Sequence, residues 1–370
     1  MNLATPPFIR SLPGLAAKNS PRLAQFAGFG SNPGNLDAWC FMPEQAGEEK
    51  LPLVVVLHGC TQTARGYDQG SGWSALSEAY GFAVLFPEQK RSNNATLCFN
   101  WFEPGDTRRG LGEAASIAQM VQALIVQHSI DPQRVFITGL SAGGAMTSSM
   151  LATYPELFAG GAILAGLPHG AAASMQEAFQ QMRSPSPSRK SSSNAIKTAS
   201  RHAGPWPVIS VWHGTEDAVV HPTNADAIVQ QWLQVHGISD TAAIREMVDG
   251  HQHRVWRNAV GKLLVEEYSV AGMGHGTPLD TTGDCCCGET GAFMIEAGIS
   301  STVHSAKSWG LLKTRRSHKL PDQALVAAGR EVRKTGHGGQ VHATKSRDMP
   351  ARDRLTHIIE NALRAAGLMK

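Results

Sequence analysis

No run of eighteen apolar residues occurs anywhere in the 370-residue chain, which removes a membrane-spanning helix from consideration. Cysteine is scarce and poorly spaced for a metal. Of six, Cys40, Cys60 and Cys98 stand singly, Cys285, Cys286 and Cys287 are consecutive, and no CxxC pair exists. Three adjacent thiolates cannot easily face one tetrahedral ion, so no metal site is expected and the cysteines read as free thiols or one disulfide. The amino terminus, MNLATPPFIRSLPGLAAKNSP, lacks the continuous apolar stretch of a secretion signal, so the expected compartment is the cytoplasm. No internal repeat is visible.

What is present suits a soluble globular protein with a substantial core: 42% hydrophobic and 17% charged residues, with a mean hydropathy of -0.18. The net charge of +3 is unevenly spread. Residues 311–370 carry 13 Lys/Arg against 5 Asp/Glu, leaving the rest with 20 basic and 25 acidic residues. This basic tail holds few aromatics and no nucleic-acid motif, so no nucleic-acid partner is expected and a solvated appendage is the plainer reading. Its last stretch, DRLTHIIENALRAAGLMK, has the spacing of a short amphipathic helix.

Short runs rich in Val, Ile and Phe predict buried strands of a parallel sheet: LPLVVVL (51–57), FAVLFP (82–87), RVFITGL (134–140), GAILAG (161–166) and PVISVW (207–212). LLVEEYSV (263–270) alternates and reads as an edge strand. Between them GEAASIAQMVQALIVQH places Ala114, Ile117, Ala118, Val121, Leu124, Ile125 and His128 on one helical face, and Asp131-Pro132 marks the loop that follows. Strand and helix alternate as in a doubly wound, mostly parallel α/β sheet with helices on both faces. A Ser-, Pro- and base-rich segment, 182–207, interrupts this order as a mobile insertion over the carboxyl edge or as surface disorder.

Gly139-Leu140-Ser141-Ala142-Gly143 is G-x-S-x-G between an apolar strand and a helix-compatible segment, the context of a nucleophile elbow. A serine hydroxyl needs a histidine base, itself oriented by a carboxylate. HGTEDAVVHP places Glu216 and Asp217 just past a strand end, and spacing separates them poorly; the shorter side chain of Asp217 has fewer rotamers to fix. His275, between Gly274 and Gly276, follows the last strand. The order Ser, Asp, His is that of α/β-hydrolases. Donors for an oxyanion would be the N–H of Ala142 and, from the loop His58-Gly59-Cys60, the N–H of Cys60. Gly59 allows close approach, and His58 shapes the loop or is a structural histidine. Trp73, Trp101 and Phe102 are candidates to line a substrate pocket, with core packing as the plainer alternative.

LHGCTQTA (57–64), SGWSALSEAYGFAVLFPEQ (71–89), CFNWFEPGDTRRGLGEAASIAQMV (98–121), the segment around the elbow (131–168), HGTEDAVVHP (213–222), AGMGHGTPLD (271–280) and residues 287–311 resemble the polyhydroxybutyrate (PHB) depolymerase family of esterases, related to feruloyl and acetylxylan esterases. The resemblance covers roughly residues 35 to 311. It implies an N-terminal extension (1–34), an α/β-hydrolase catalytic domain (35–311) and a basic tail (312–370). It also implies Ser141 as nucleophile, Asp217 as triad acid, His275 as base, His58, Gly59 and Cys60 at the oxyanion hole, and a Cys60–Cys98 bridge. No cofactor is implied; the partner is an ester. Family members are commonly secreted. Ser300 stands where secreted relatives often carry cysteine, so a bridge from Cys287 to that position is not expected. The expected activity is hydrolysis of hydroxybutyrate-type polyester, its oligomers or short-chain esters, with feruloyl or acetylxylan esters as the alternative. A non-catalytic granule- or polyanion-binding protein is the alternative of another class.

Overall fold

The computed structural model describes residues 22–44, 49–183, 193–283 and 287–312. The basic tail beyond 312, residues 184–192 of the expected insertion, Cys285 and Cys286 lie outside the described residues. In chain order the strands are β1 (Ala24–Gln25), β2 (Asp37–Phe41), β3 (Leu51–Leu57), β4 (Ala83–Glu88), β5 (Ile130–Leu140), β6 (Gly160–Leu164), β7 (Val208–Gly214), β8 (Ile244–Val248), β9 (His251–Arg257), β10 (Leu263–Val270), β11 (Thr277–Leu279) and β12 (Met294–Glu296). The α-helices are α1 (Ala64–Ser71), α2 (Trp73–Tyr80), α3 (Pro104–Thr107), α4 (Gly112–Gln127), α5 (Ala142–Thr153), α6 (Met175–Arg183), α7 (Ser193–Ala199), α8 (Thr223–His236) and α9 (Ser301–Ser308).

Ten strands form one sheet in the order β1-β2-β4-β3-β5-β6-β7-β10-β9-β8, and β11 pairs with β12 separately. The centre, β4-β3-β5-β6-β7-β10, is parallel throughout; both flanks are antiparallel. Every residue of β3 is buried, as a strand covered on both faces requires. Its side chains divide by the period of two. Leu53, Val55 and Leu57 join a core with Ile117 of α4, Met146 of α5 and Trp232 of α8. Val54 and Val56 join a second core with Tyr67 of α1, Trp73 of α2 and Ala306 of α9. Among the described residues no helix is long and apolar enough to cross a membrane.

Four segments differ from expectation. LLVEEYSV is β10, an interior strand between β7 and β9. Both of its glutamates are buried, each against a basic partner on β9: Glu266 meets Nε2 of His253 at 3.2 Å, and Glu267 meets Arg254. The edge belongs to β8, whose residues 244–247 are exposed. Asp131-Pro132 falls within β5 as a break in register: Ile130 pairs with Leu51 and Val135 with Leu53, so the residues between stand off the ladder. The expected insertion is partly ordered, because Met182 and Ala199 pack on the first core and Ile196 is buried within it. Ala24 and Gln25 pair with Cys40 and Trp39, within the stretch expected as an N-terminal extension.

Candidate active site

Because β5, β6, β7 and β10 are parallel neighbours, the segments that follow β5, β7 and β10 leave the sheet at one edge. Ser141 stands between β5 and α5, with φ 58° and ψ -116°. A non-glycine residue there is strained, and such strain persists only where the surroundings hold it. Ser141 N–H donates to Leu164 O (2.9 Å), and Ala145 N–H donates to Ser141 O (2.8 Å). The turn closes because its neighbours have no Cβ. One on Gly139 would lie 2.5 Å from Gly143 O, and one on Gly143 would collide with the carbonyls of Leu57 and His58. Gly143→Ala is expected to lower the unfolding free energy by about 1–3 kcal/mol, the usual cost of overpacking. Urea unfolding measures this, and an unchanged midpoint would mean that the elbow yields.

Asp217 follows β7 and is 4% exposed. Its Oδ1 accepts from the N–H groups of Val219 and Val220, both at 2.9 Å. Its Oδ2 lies 2.7 Å from Nδ1 of His275 and 3.3 Å from Nε2 of His213. Capping the turn and orienting the imidazole therefore use different oxygens of one carboxylate. Burial works against ionisation, but His275 and His213 outweigh it and hold the carboxyl well below the usual carboxylate range. Glu216 is exposed, so the side chain that reaches the histidine is that of Asp217.

His275 is 8% exposed. Its Nδ1–H donates to Asp217, leaving Nε2 as the basic nitrogen. The chain reaches this position by passing closely over the end of β7, where a Cβ on Gly214 would strike Met273 and Gly274 O.

Ser141 opens on an apolar cavity of about 70 Å³ lined by Trp101, Phe102, Leu167 and Val220. Helix α6 also lines it, through Met175, Ala178, Phe179 and Met182. Those four positions follow i, i+3, i+4, i+7, an apolar stripe that the sequence does not mark as a pocket wall because the same spacing serves core packing. The pocket assignment of Trp73 is corrected. It is 2% exposed, in the core on the sheet's other face, stacked 5.9 Å from Trp309.

The loop after β3 is tied down. Gly59 N–H donates to Oε1 of Gln62 (2.8 Å), and Thr61 N–H donates to Thr96 O (2.7 Å). Nδ1 of His58 donates to Gly59 O (2.8 Å), while Nε2 accepts from Gln89 N–H (3.1 Å). Burial lowers the His58 pKa to about 4, against the raising influence of the Gly59 carbonyl, so the ring is neutral. His58 and Gly59 thus shape the loop, and Cys60 N–H has no protein acceptor among the described residues. The first N–H groups of α5, Ala142 included, have no acceptor within the helix. Cys60 is disulfide-bonded to Cys98, which also lines the cavity. Among the described residues, no group of three His, Cys, Asp or Glu side chains is placed to hold a metal.

The esterase PHB depolymerase family matches residues 36–257. Poly(3-hydroxyalkanoate) depolymerase C of Paucimonas lemoignei is 46% identical over 296 residues, covering 78% of this chain and 70% of that protein. An acetylxylan esterase of Coprinopsis cinerea is 32% identical over 271 residues, 70% of each. Among solved structures, the acetyl xylan esterase from Aspergillus awamori superposes with a TM-score of 0.65 at 24% identity. That likeness covers 78% of this chain and 99% of the other, and it speaks to the fold.

Proposed function

From a chain that belongs to the PHB depolymerase family of esterases, and is therefore a carboxylic ester hydrolase with an α/β-hydrolase fold, we propose that Ser141, His275 and Asp217 act as one catalytic triad. The observation that carries this is the buried Asp217–His275 hydrogen bond at the sheet edge where the elbow places Ser141, half-buried, on the cavity. Nε2 of His275 takes the hydroxyl proton as Oγ attacks the ester carbonyl. Asp217 holds the tautomer and stabilises the imidazolium. The N–H groups of Cys60 and Ala142 receive the oxyanion, each contributing about 3 kcal/mol of barrier lowering. His275 then protonates the departing alcohol, and water releases the acyl group from Ser141.

The substrate we favour is a hydroxyalkanoate polyester or its oligomers. A cavity of about 70 Å³ has room for more than the methyl of an acetyl group, and its walls are mostly apolar. Hydroxybutyrate oligomers, acetylated xylan and feruloyl esters tested side by side decide the matter: faster turnover of either alternative would displace the polyester reading. Met182→Trp, which fills the α6 side, is expected to cut butyrate over acetate selectivity for p-nitrophenyl esters about tenfold. A butyrate-to-acetate ratio unchanged from that of the unmodified protein would remove the pocket from acyl selection. Labelling of Ser141 by a fluorophosphonate separates the enzyme, favoured by family membership, from a non-catalytic binder. The Cys60–Cys98 disulfide favours an oxidising compartment, so we adopt secretion in place of the cytoplasm. We retain residues 35–311 as the catalytic unit, with β1 and Phe26 of the preceding stretch packed onto it.

A further inference from the structure

One buried carboxyl outside the triad has no part in the chemistry above. Glu113, in the first turn of α4, is 1% exposed. Its Oε1 accepts from Nε2 of Gln89 (2.5 Å), and its Oε2 accepts from Asn100 N–H (2.9 Å). A buried carboxyl is costly unless its partners are worth holding, so the destination of these bonds matters. They lead to the cavity from two directions.

Gln89 stands just after β4. Its Nε2 also donates to Cys98 O (2.9 Å), its Oε1 accepts from Nδ2 of Asn93 (2.8 Å), and its backbone N–H donates to Nε2 of His58. The other face of His58 holds Gly59 O. Asn100 lies between Cys98 and Trp101, and its N–H is the second bond to Glu113. The disulfide joins Cys60 to Cys98, and Thr61 N–H reaches Thr96 O. Glu113, Gln89, His58, the 59–61 loop and the 96–100 loop therefore form one closed circuit of bonds.

The circuit encloses a second strained residue. Thr61 has φ 64°, a position that a β-branched side chain adopts only under constraint. It directly follows Cys60, the proposed oxyanion donor. An N–H must lie within a few tenths of an ångström of its place to serve a developing oxyanion. A loop that contains an unfavourable φ does not hold such a place unaided.

We propose that Glu113 is a positioning residue for the oxyanion loop, its carboxyl fixing the 59–61 and 96–100 loops relative to each other through Gln89 and Asn100. The inference rests on the reading of Cys60 N–H as an oxyanion donor. Glu113 touches no substrate. It acts through the loops that do, so its loss falls on the transition state more than on ground-state binding.

Glu113→Gln keeps the volume but turns an N–H towards one of the two donors that Glu113 now satisfies. Gln89→Met keeps the length but removes the bridge between them. Each single variant is expected to lower kcat for p-nitrophenyl butyrate about tenfold with KM changed less than twofold. A trifluoromethyl ketone, whose adduct places an oxyanion in the hole, should weaken by a similar factor. The double variant should lose little more than either single one, because both cut one circuit. Hydrogen exchange at Thr61 N–H reads the clamp without reference to turnover, and should speed up in both single variants. Unchanged kcat with unchanged exchange in Gln89→Met overturns the proposal, as does a rise in KM alone. Faster exchange with unchanged kcat keeps the clamp but overturns its link to catalysis. An unmodified protein that fails to hydrolyse any ester overturns the enzymatic reading instead, and exchange still judges the clamp.

Discussion

Ser141→Ala abolishes hydrolysis of short-chain p-nitrophenyl esters, with kcat falling roughly 10⁵-fold or more, while the melting temperature stays within a few degrees. The first half follows from the proposed role of Oγ: without it no acyl-enzyme forms, and the N–H donors alone leave only a small residual rate. The second half follows from the elbow. Alanine is no worse than serine at φ 58°, and the closeness that governs this turn belongs to Gly139 and Gly143. Side-by-side progress curves and thermal melts measure both. Turnover above a hundredth of the original rate, in protein free of contaminating esterase, would exclude Ser141 as nucleophile.

Asp217→Asn is the more discriminating change, expected to reduce kcat by about 10³–10⁴ in a folded protein. The amide oxygen still receives the N–H groups of Val219 and Val220, so the turn survives. The amide nitrogen, however, faces Nδ1 of His275 and favours the tautomer with its proton on Nε2, where it cannot accept from Ser141. The same substitution alters acid stability. The folded carboxyl is held below its unfolded value by His275 and His213 despite burial. Between those two pKa values the unfolded chain binds the extra proton, so stability rises with pH. The contribution is full above about pH 4, the ordinary aspartate range, and fades as acid approaches the folded value. The Asp217→Asn protein lacks this dependence, so its melts recorded from neutral pH to about pH 2 should fall less steeply than those of the unmodified chain. Parallel curves would show that Asp217 does not carry the effect.

How much was legible before the fold depended on where each residue's partner sits. The strands β3 and β5 were readable because parallel strands are covered on both faces and appear as unbroken apolar runs. β10 was misplaced because its polar residues are answered across the ladder by His253 and Arg254, pairings that no local pattern reveals. The residues of the proposed triad were visible in their chain order and their strand-end contexts. Spacing alone left Glu216 and Asp217 open; the shorter side chain and the resemblance favoured Asp217, and the turn that directs its carboxylate to His275 shows only in the fold. Trp73 was misjudged because a tryptophan near a functional motif looks alike in core or pocket. Glu113 could not be singled out, since its partners Gln89 and Asn100 lie 24 and 13 positions away and nothing in α4 marks a carboxyl turned inward.

The bridge between Cys60 and Cys98 also acts on a chain that has not folded. Their separation of 38 residues closes a loop that shrinks the conformational entropy of the denatured ensemble, worth about 4 kcal/mol on a chain-entropy estimate. A whole domain's margin is about 5–15 kcal/mol. Production in a reducing host therefore forfeits a large share of that margin before the catalytic edge has assembled.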